Sequence, residues 1–484
     1  MSTIATTNFK TLSAKSFVNS IQNEDNLIYA FFGRSQPWLN ETFENTPISS
    51  NDYQFDYFTA DRDIIALKRV TPQNICHVIP RKNWTPYKVY DQWDDKDAEI
   101  WEKDFYVMNS EYAIYKCLRT PVNRTTGERI QSTEEPNHIP PYNVFGTIDL
   151  SEDPKQYDDG YIWKFMYKLS ELDMKFLTFD YMPIRYYNPS VTYTQLTETE
   201  KLNADIQEAS LSLDGRIYSY IVSNGGLNYS SNTILSIYGD GTSASASIYT
   251  NSNGRIITVE VEEDTSGDII GEGSGYHYAN SIVTDIGGGA GASIFPIISP
   301  PNGHGSNPVE ELGSYFVCVS SEFFNNEFDT DVKIDTVYRQ LGLIENPQLN
   351  LSTSNLSDNL NGCITLNVVL SNTVNSINNL QYIYDADGSK IAFIDGVETL
   401  SNDSSGVTVE LRVHRTNDTI YVDFDDSVYS DLYLENSVDP FGSIVSVTDP
   451  EYVHFTGNIL FLENRSPITR NPNQIEQVRF VVEF

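Results

Sequence analysis

From Gly457 to Phe484 the chain reads GNILFLENRSPITRNPNQIEQVRFVVEF. Ile459 to Leu462 is an apolar run of strand length. Asn464, Ser466 and Pro467 break it, and Asn471, Pro472 and Asn473 give a second turn signal. The last residues alternate. Val478, Phe480, Val482 and Phe484 point one way, Arg479 and Glu483 the other, and Val481 spoils strict alternation. A half-buried strand therefore runs to the final residue. Chain ends fray unless a sheet holds them, so this strand needs partners elsewhere in the sequence. Arg465 and Arg470 flank the proline turn with planar forks suited to carboxylates. Solvation, or pairing within the loop, is the simpler reading of both.

The same reading applied to the start of the chain gives a helix within residues 11–30 and a buried strand at Leu27–Phe32. The strand stops at Gly33 in the loop GRSQPW. Gly33 permits an unusual backbone angle, Arg34 is a planar donor, and Pro37-Trp38 starts a rigid segment with a large apolar anchor. Arg34 can bind an anion, but a structural ion pair is the favoured role. Asp61–Val70 reads as a short helix or a strand. Val78–Trp84 is a strand entering a turn that holds Arg81 and Trp84. Val107–Leu118 reads as one antiparallel strand, and residues 121–145 as loop. In Asp158–Leu169, Tyr161, Trp163, Phe165 and Tyr167 fall on one face.

From about Asn224 to Pro308 the composition shifts to Gly, Ser, Asn and Ala. Two units echo each other there: Gly225–Tyr229 with Gly239–Ala244, and Gly273–Tyr276 with Gly287–Ala292. Each reads glycine-rich turn, tyrosine, strand, glycine-rich turn, small-residue strand, which implies two packed β repeats in a small sandwich or barrel. Strands follow at Tyr315–Val319 and Tyr338–Ile344. Between about 350 and 445, strands alternate with Asn/Ser/Asp turns, at Cys363–Leu370, Leu380–Tyr384, Lys390–Ile394, Val407–His414 and Thr419–Phe424. The fold class is mainly β with minor α, multi-domain, built of antiparallel sandwiches or barrels. Residues 86–195 read as a β-rich domain, 196–309 as a glycine-rich segment and 349–445 as a further β-rich segment.

The 484 residues carry 67 acidic and 31 basic side chains, a net charge of −36. Such a surface repels nucleic acid and favours basic partner faces. The N-terminus has no apolar core of a signal peptide, and no run of apolar residues is long enough to span a membrane. Cys76, Cys117, Cys318 and Cys363 are widely separated and read as buried thiols of a protein made in a reducing compartment.

The chemistry-bearing motifs read as structure. Asp385–Ser389 resembles the start of a calcium loop, but Lys390 and Gly396 occupy the positions that need glycine and a bidentate glutamate, so it is a hairpin turn. No glycine run precedes Lys-Ser/Thr, and Gly239-Asp240-Gly241 is a tight turn. Glu262-Glu263 and Asp425-Asp426 read as solvated charges. Of the histidines, His304 lies between two glycines and reads as exposed. No catalytic residue, cofactor or metal site is expected.

FGRSQPW, VIPRKNW, DGYIWKFMYKL, YRQLGLIENP and the C-terminal stretch occur in one order. In that order they resemble the baseplate wedge subunit, the gene-eight product, of T-even-type contractile-tailed bacteriophages. The blocks are Phe32–Trp38, Val78–Trp84, Asp159–Leu169, Tyr338–Pro347 and Gly457–Phe484. They cover the N-terminal third in patches and the whole C-terminus. The stretches near 220–308 and 350–445 fall between blocks, where the resemblance says little. The resemblance implies a non-catalytic virion protein, synthesised in the host cytoplasm, forming a homodimer in each wedge and contacting other wedge proteins. It also implies that the N- and C-terminal segments share one core domain, 1–85 with 310–348 and 446–484, with 196–309 and 349–445 as inserts. Gly33, Arg34, Trp38, Arg81, Trp84, Glu463, Asn464, Arg465 and Pro467 are then the residues expected to fix loops between core strands, at or near a subunit contact. The rival reading is a receptor- or carbohydrate-binding tail protein, with Tyr229, Tyr276 and His304 as candidate sugar contacts. A cell-wall hydrolase would need two carboxylates facing a cleft, which sequence cannot display.

Overall fold

In a computed structural model the chain is described at residues 5–38, 41, 46, 54–187, 195–265, 267–324, 337–350, 358–372, 374, 376–403, 406–416, 431–470 and 474–484. The protein is mainly β, with several antiparallel sheets. It divides into two compact units. One holds Met1–Ser16, Cys76–Cys318 and Val481–Phe484, and the other Phe17–Ile75 and Val319–Phe480. The segments expected as 86–195 and 196–309 thus lie in the first unit, and 349–445 lies in the second.

The second unit has a five-stranded sheet in the order Asn359–Asn361, Ile64–Arg69, Ile28–Gly33, Val337–Glu345, Asn458–Thr469. Every neighbour is antiparallel. Strands from both ends of the sequence therefore flank Val337–Glu345. Ile28–Gly33 is buried on both faces, which is why LIYAFF shows no alternation. Asp61–Val70 proves to be both readings in turn, since a helix ends at Arg62 and a strand starts at Ile64.

The break expected at Asn464–Pro467 does not occur. Asn458–Thr469 is one strand. Asn464 pairs with Gln340 and Ile468 with Tyr338, so Arg465, Ser466 and Pro467 bulge out opposite Arg339. Proline has no N–H to give a ladder, and a bulge on an edge strand spares it that duty. The second turn, Asn471–Asn473, lies outside the described residues. Beyond it, Phe480 packs edge-on against Phe461, with ring centroids 5.6 Å apart.

A six-stranded sheet follows in the order Tyr382–Tyr384, Lys390–Asp403, Gly406–Arg415, Ile364–Leu370, Gly442–Thr448, Asp431–Leu432. Its core includes Leu366, Val368, Ile383, Ile394, Leu411 and Val413. Asp385–Ser389 is the hairpin turn between the first two strands, closed by Asp385 N–H donating to the Ser389 carbonyl at 3.0 Å. The predicted Thr419–Phe424 strand and the Asp425-Asp426 pair lie outside the described residues.

In the first unit, Val107–Leu118 is a hairpin and not one strand: Tyr106–Met108 turns back into Ala113–Arg119. Tyr112 takes the positive φ of 60° that the turn needs. Ala113–Arg119 pairs with Ile162–Lys168, where a register shift lets Tyr115 face Phe165 and Ile114 face Tyr167. That shift corrects the one-face expectation. Tyr161, Trp163 and Phe165 join Tyr90 and Tyr115 in one cluster, while Tyr167 joins Met108, Met166 and Met182 in another. Helix Glu198–Ala209 was not foreseen. Its signal is a capping box, in which Thr197 and Glu200 bond each other's backbone N–H groups.

The glycine-rich segment is also in this unit, and its two repeats interlock. Each repeat opens on Gly-Arg-Ile, at Gly215-Arg216-Ile217 and Gly254-Arg255-Ile256. The tyrosine turn of the first repeat pairs with the small-residue strand of the second: Leu227 faces Ala290 and Gly225 faces Ala292. The converse pairing is Ser274 with Thr242 and Glu272 with Ala244. Tyr229 Oη accepts from Ala292 N–H at 3.0 Å, and Tyr276 Oη from Ala244 N–H at 3.3 Å. The glycines are needed because Tyr229 lies against Gly226 and Gly289, and Tyr276 against Gly241 and Gly273. Each repeat also lends an aspartate to the other. Asp285 accepts from Ser230 and Gly289, which hold its carboxyl down at about 2. Asp240 accepts from the His277 and Tyr278 N–H groups.

Candidate functional site

Of the residues singled out in sequence, Gly33, Arg34, Trp38, Glu463, Asn464, Arg465 and Pro467 lie in the second unit, and Arg81 and Trp84 in the first. Gly33 ends its strand hard against Asp63; a Cβ there would stand 2.7 Å from the Asp63 carbonyl oxygen. The unusual backbone angle assigned to Gly33 belongs instead to Arg34, at φ 55°. Close approach is what demands the glycine. Arg34 N–H donates to the same carbonyl at 2.8 Å, and its guanidinium reaches the fully buried Asp63 carboxylate at 3.0 Å. Burial pulls the Arg34 guanidinium down from its ordinary value, and Asp63 opposes the shift. Arg62 binds the other Asp63 oxygen at 2.6 Å. The anion taken by Arg34 is therefore the protein's own.

The Arg34 guanidinium also lies over the Trp38 ring, 4.1 Å from its centre. Trp38 Nε1 donates to the Arg465 carbonyl at 3.3 Å. The loop after the first core strand and the bulge near the C-terminus thus meet. Asn464 Oδ1 accepts from Gln340 at 2.9 Å. Arg465 pairs with Glu463 at 2.9 Å in a half-exposed bridge, which contributes about 0–1 kcal/mol. Pro467 is part of the bulge. Arg470 is not a solvated loop residue: it is fully buried and bonds Glu476 at 2.6 Å.

Arg339, missed in the sequence, holds this loop most firmly. It makes a bidentate pair with Glu41, at 2.5 and 2.8 Å, and donates to the Ser35 carbonyl. A charge inside the apolar strand YRQLGLI was the available signal. Ser35 Oγ in turn donates to Asp395, whose carboxylate also takes His414 Nδ1 at 2.8 Å and the Cys363 thiol at 3.6 Å. All four side chains are buried. Burial lowers the affinity of His414 for its proton, but Asp395 outweighs it and the imidazole titrates above its usual value. Burial and Asp395 push the Cys363 thiol up. Nucleophilic catalysis needs the imidazole between the hydroxyl and the carboxylate. Here the carboxylate stands between, so the imidazole is not bonded to the serine. The arrangement is a clasp that ties loop 33–38 to the six-stranded sheet.

In the first unit, Arg81 donates to the Asn83 side chain at 3.1 Å and to the Thr178 carbonyl at 3.0 Å. Trp84 Nε1 donates to Ser132 at 3.1 Å. Both fix loops. Nearby strands carry something composition hides: Lys116 and Lys164 face each other directly across the pair of strands, and both are fully buried. Like charges so placed repel. Each is answered by a buried carboxylate, Glu311 at 2.9 Å from Lys116 and Asp153 at 2.5 Å from Lys164. His304, read in sequence as exposed, is buried here, with Nδ1 3.1 Å from the Lys116 ammonium and its ring edge-on to Trp93. Burial and the two lysines push its pKa well down. It is a neutral core histidine. Glu263, read as solvated, pairs with Arg119 at 3.3 Å.

Tyr229 and Tyr276 are also buried, so none of the three residues assigned to sugar contact is available for it. A small cleft of about 40 Å³ lies among Arg119, Thr120, Ser219, Tyr220 and Glu260. That admits water, whereas ligand pockets run to roughly 300–1,000 Å³. Among the described residues no group of histidine, cysteine and carboxylate side chains is arranged to hold a metal, and no helix is long and apolar enough to cross a membrane. Compared with family models and with curated proteins, the chain matches none.

Proposed function

We propose that this chain is a structural subunit of a contractile-tail baseplate wedge in a bacteriophage virion. In this reading it works through protein–protein interfaces, as a homodimer beside other wedge proteins, and performs no catalysis. The ordered sequence blocks support it, and one structural observation carries the interface part. The turn Tyr142–Ile148 lifts Val144 and Phe145 into solvent, 94% and 88% exposed. The turn is rigid. Asn143 Oδ1 accepts from Phe145 and Thr147 N–H at 2.9 and 3.2 Å, and Asn143 N–H reaches the Thr147 carbonyl at 2.8 Å. An apolar tip already held in one shape docks without the cost of ordering it, and a phenylalanine so placed is a strong anchor.

A carboxylate stands at the base of the turn, where Tyr142 Oη donates to Asp205 at 2.6 Å, on a chain of net charge −36. The matching surface on a partner is an apolar pocket with a basic rim. The test is the native mass of the protein, alone and mixed with its neighbouring baseplate proteins. The expected result is a complex that the double variant Val144→Ser/Phe145→Ser weakens at least tenfold. A strict monomer that joins none of them removes the proposal.

A further inference from the structure

The two glycine-rich repeats meet in a two-stranded antiparallel ribbon, Ile234–Gly239 with Ala279–Thr284. Its inner face, with Leu235 and Val283, packs into the repeat core. Its outer face presents Ile234, Ser236 and Tyr238 from one strand, and Asn280, Ile282 and Thr284 from the other. Tyr278 stands just before the second strand on the same side. The register pairs Tyr238 with Asn280, Ser236 with Ile282, and Ile234 with Thr284. Each rung therefore sets one large apolar side chain beside one neutral hydrogen-bonding one. Because the apolar member changes strand from rung to rung, Tyr278, Tyr238, Ile282 and Ile234 form a zigzag, diagonal neighbours lying roughly 7–8 Å apart. These four are between 48% and 64% exposed. None of the seven outward positions carries charge, on a chain of net charge −36.

We propose that this face binds a neutral glycan strand. A sugar ring offers an apolar C–H face and a rim of hydroxyls. Tyrosine receives the first, and Asn280, Ser236 and Thr284 meet the second. A wholly apolar partner would strand those three polar groups without hydrogen bonds. A basic partner finds no carboxylate on these rungs, and an acidic glycan is repelled by the rest of the chain. The platform is also set in advance: Asp240 takes the His277 and Tyr278 N–H groups at 2.9 and 3.1 Å and fixes the turn that carries Tyr278. The site differs from the buried Tyr229, Tyr276 and His304, and it does not depend on the subunit role proposed above.

The test uses the full chain on an array of neutral and acidic glycans, followed by calorimetric titration of whatever neutral glycan is retained. Retention of a neutral glycan is expected, with affinity at least tenfold lower in Tyr238→Ala/Tyr278→Ala at an unchanged melting temperature. Ile282→Ser, on the middle rung, gives a smaller loss and serves if the double variant is poorly folded. Three results overturn the proposal: no neutral glycan retained, retention that these variants leave unaltered, or self-association of the chain that the same variants abolish. The last would mean that a second copy covers the face.

Discussion

At the scale of single residues, the strongest constraints are the two buried lysines, each answered by one buried carboxylate. Lys116 is fully buried against Glu311. Glu311→Gln leaves that ammonium without a countercharge, and breaking such a pair costs about 3–5 kcal/mol. A matching fall in stability should appear in chemical denaturation of the purified variant. Adding Lys116→Met to Glu311→Gln should recover part of the loss, since no buried charge is then left uncompensated and the amide oxygen at 311 can still accept the Gly305 and Asn307 N–H groups that Glu311 holds. The two buried histidines act in opposite directions with pH. His304 titrates well below its unfolded value. It contributes stability above about pH 6.5, lost as pH falls through the range between the unfolded and folded values. His414 titrates above its unfolded value. Its contribution is complete below about pH 6.5 and is lost as pH rises through the folded value. Melting curves across this range should show His414→Gln flattening the alkaline loss alone. A variant still losing stability as steeply above neutrality would assign that loss to another group.

Much of this residue detail was invisible in sequence, for a physical reason. His304 between glycines looks like a loop histidine, and it is in a loop, but one folded back over Trp93 and Lys116. Glycine neighbours report backbone freedom, not burial. Arg34 was legible as a charge beside an apolar strand, and Arg339, though missed, carried the same kind of signal. Their partners, Asp63 and Glu41, were not, because ion-pair choice depends on which loops the fold brings together.

At the scale of elements, the repeats are the clearest case. Gly226 and Gly273 have φ of 58° and 62°, and a Cβ on each would meet a tyrosine ring within 3 Å. Gly226→Ala and Gly273→Ala should each cost more than about 1 kcal/mol, combining backbone strain with overpacking. Hydrogen exchange should show both variants loosening the paired strands of both repeats, since each tyrosine turn is bonded to the other repeat. Loss of protection confined to one repeat would contradict the interlocked arrangement. The echo itself was plain from the recurring Gly-x-x-Tyr. The exchange of strands was not, because two repeats that pair within themselves and two that swap have the same sequence pattern. Bulges were likewise hidden: Pro467 looks like a terminator, yet opposite Arg339 it becomes an irregularity inside a longer strand.

At the scale of the whole chain, strands from residues 28–33 and 458–469 share one sheet. Truncation after Asn473 removes Glu476–Glu483 and the carboxylate that pairs with the buried Arg470. The shortened chain should fail to give soluble protein with a cooperative melt; a clean transition near that of the full chain would show the last strand to be dispensable. The net charge of −36 sets the other expectation at this scale. Complexes with basic-rimmed partners should weaken as salt rises from 50 to 500 mM, measured by the association rate, as screening shortens the reach of the field.

By itself the sequence determined the class of fold, because alternation, turn residues and scarce helical periodicity are local properties. It determined the acidity of the surface, and it marked Leu27–Phe32 and the C-terminal stretch as strands. The tertiary structure alone decided which strands are neighbours and where the register slips. It also decided which polar side chains are buried with partners and which tyrosines face water. Those outcomes depend on contacts between residues hundreds of positions apart, and no local pattern records them.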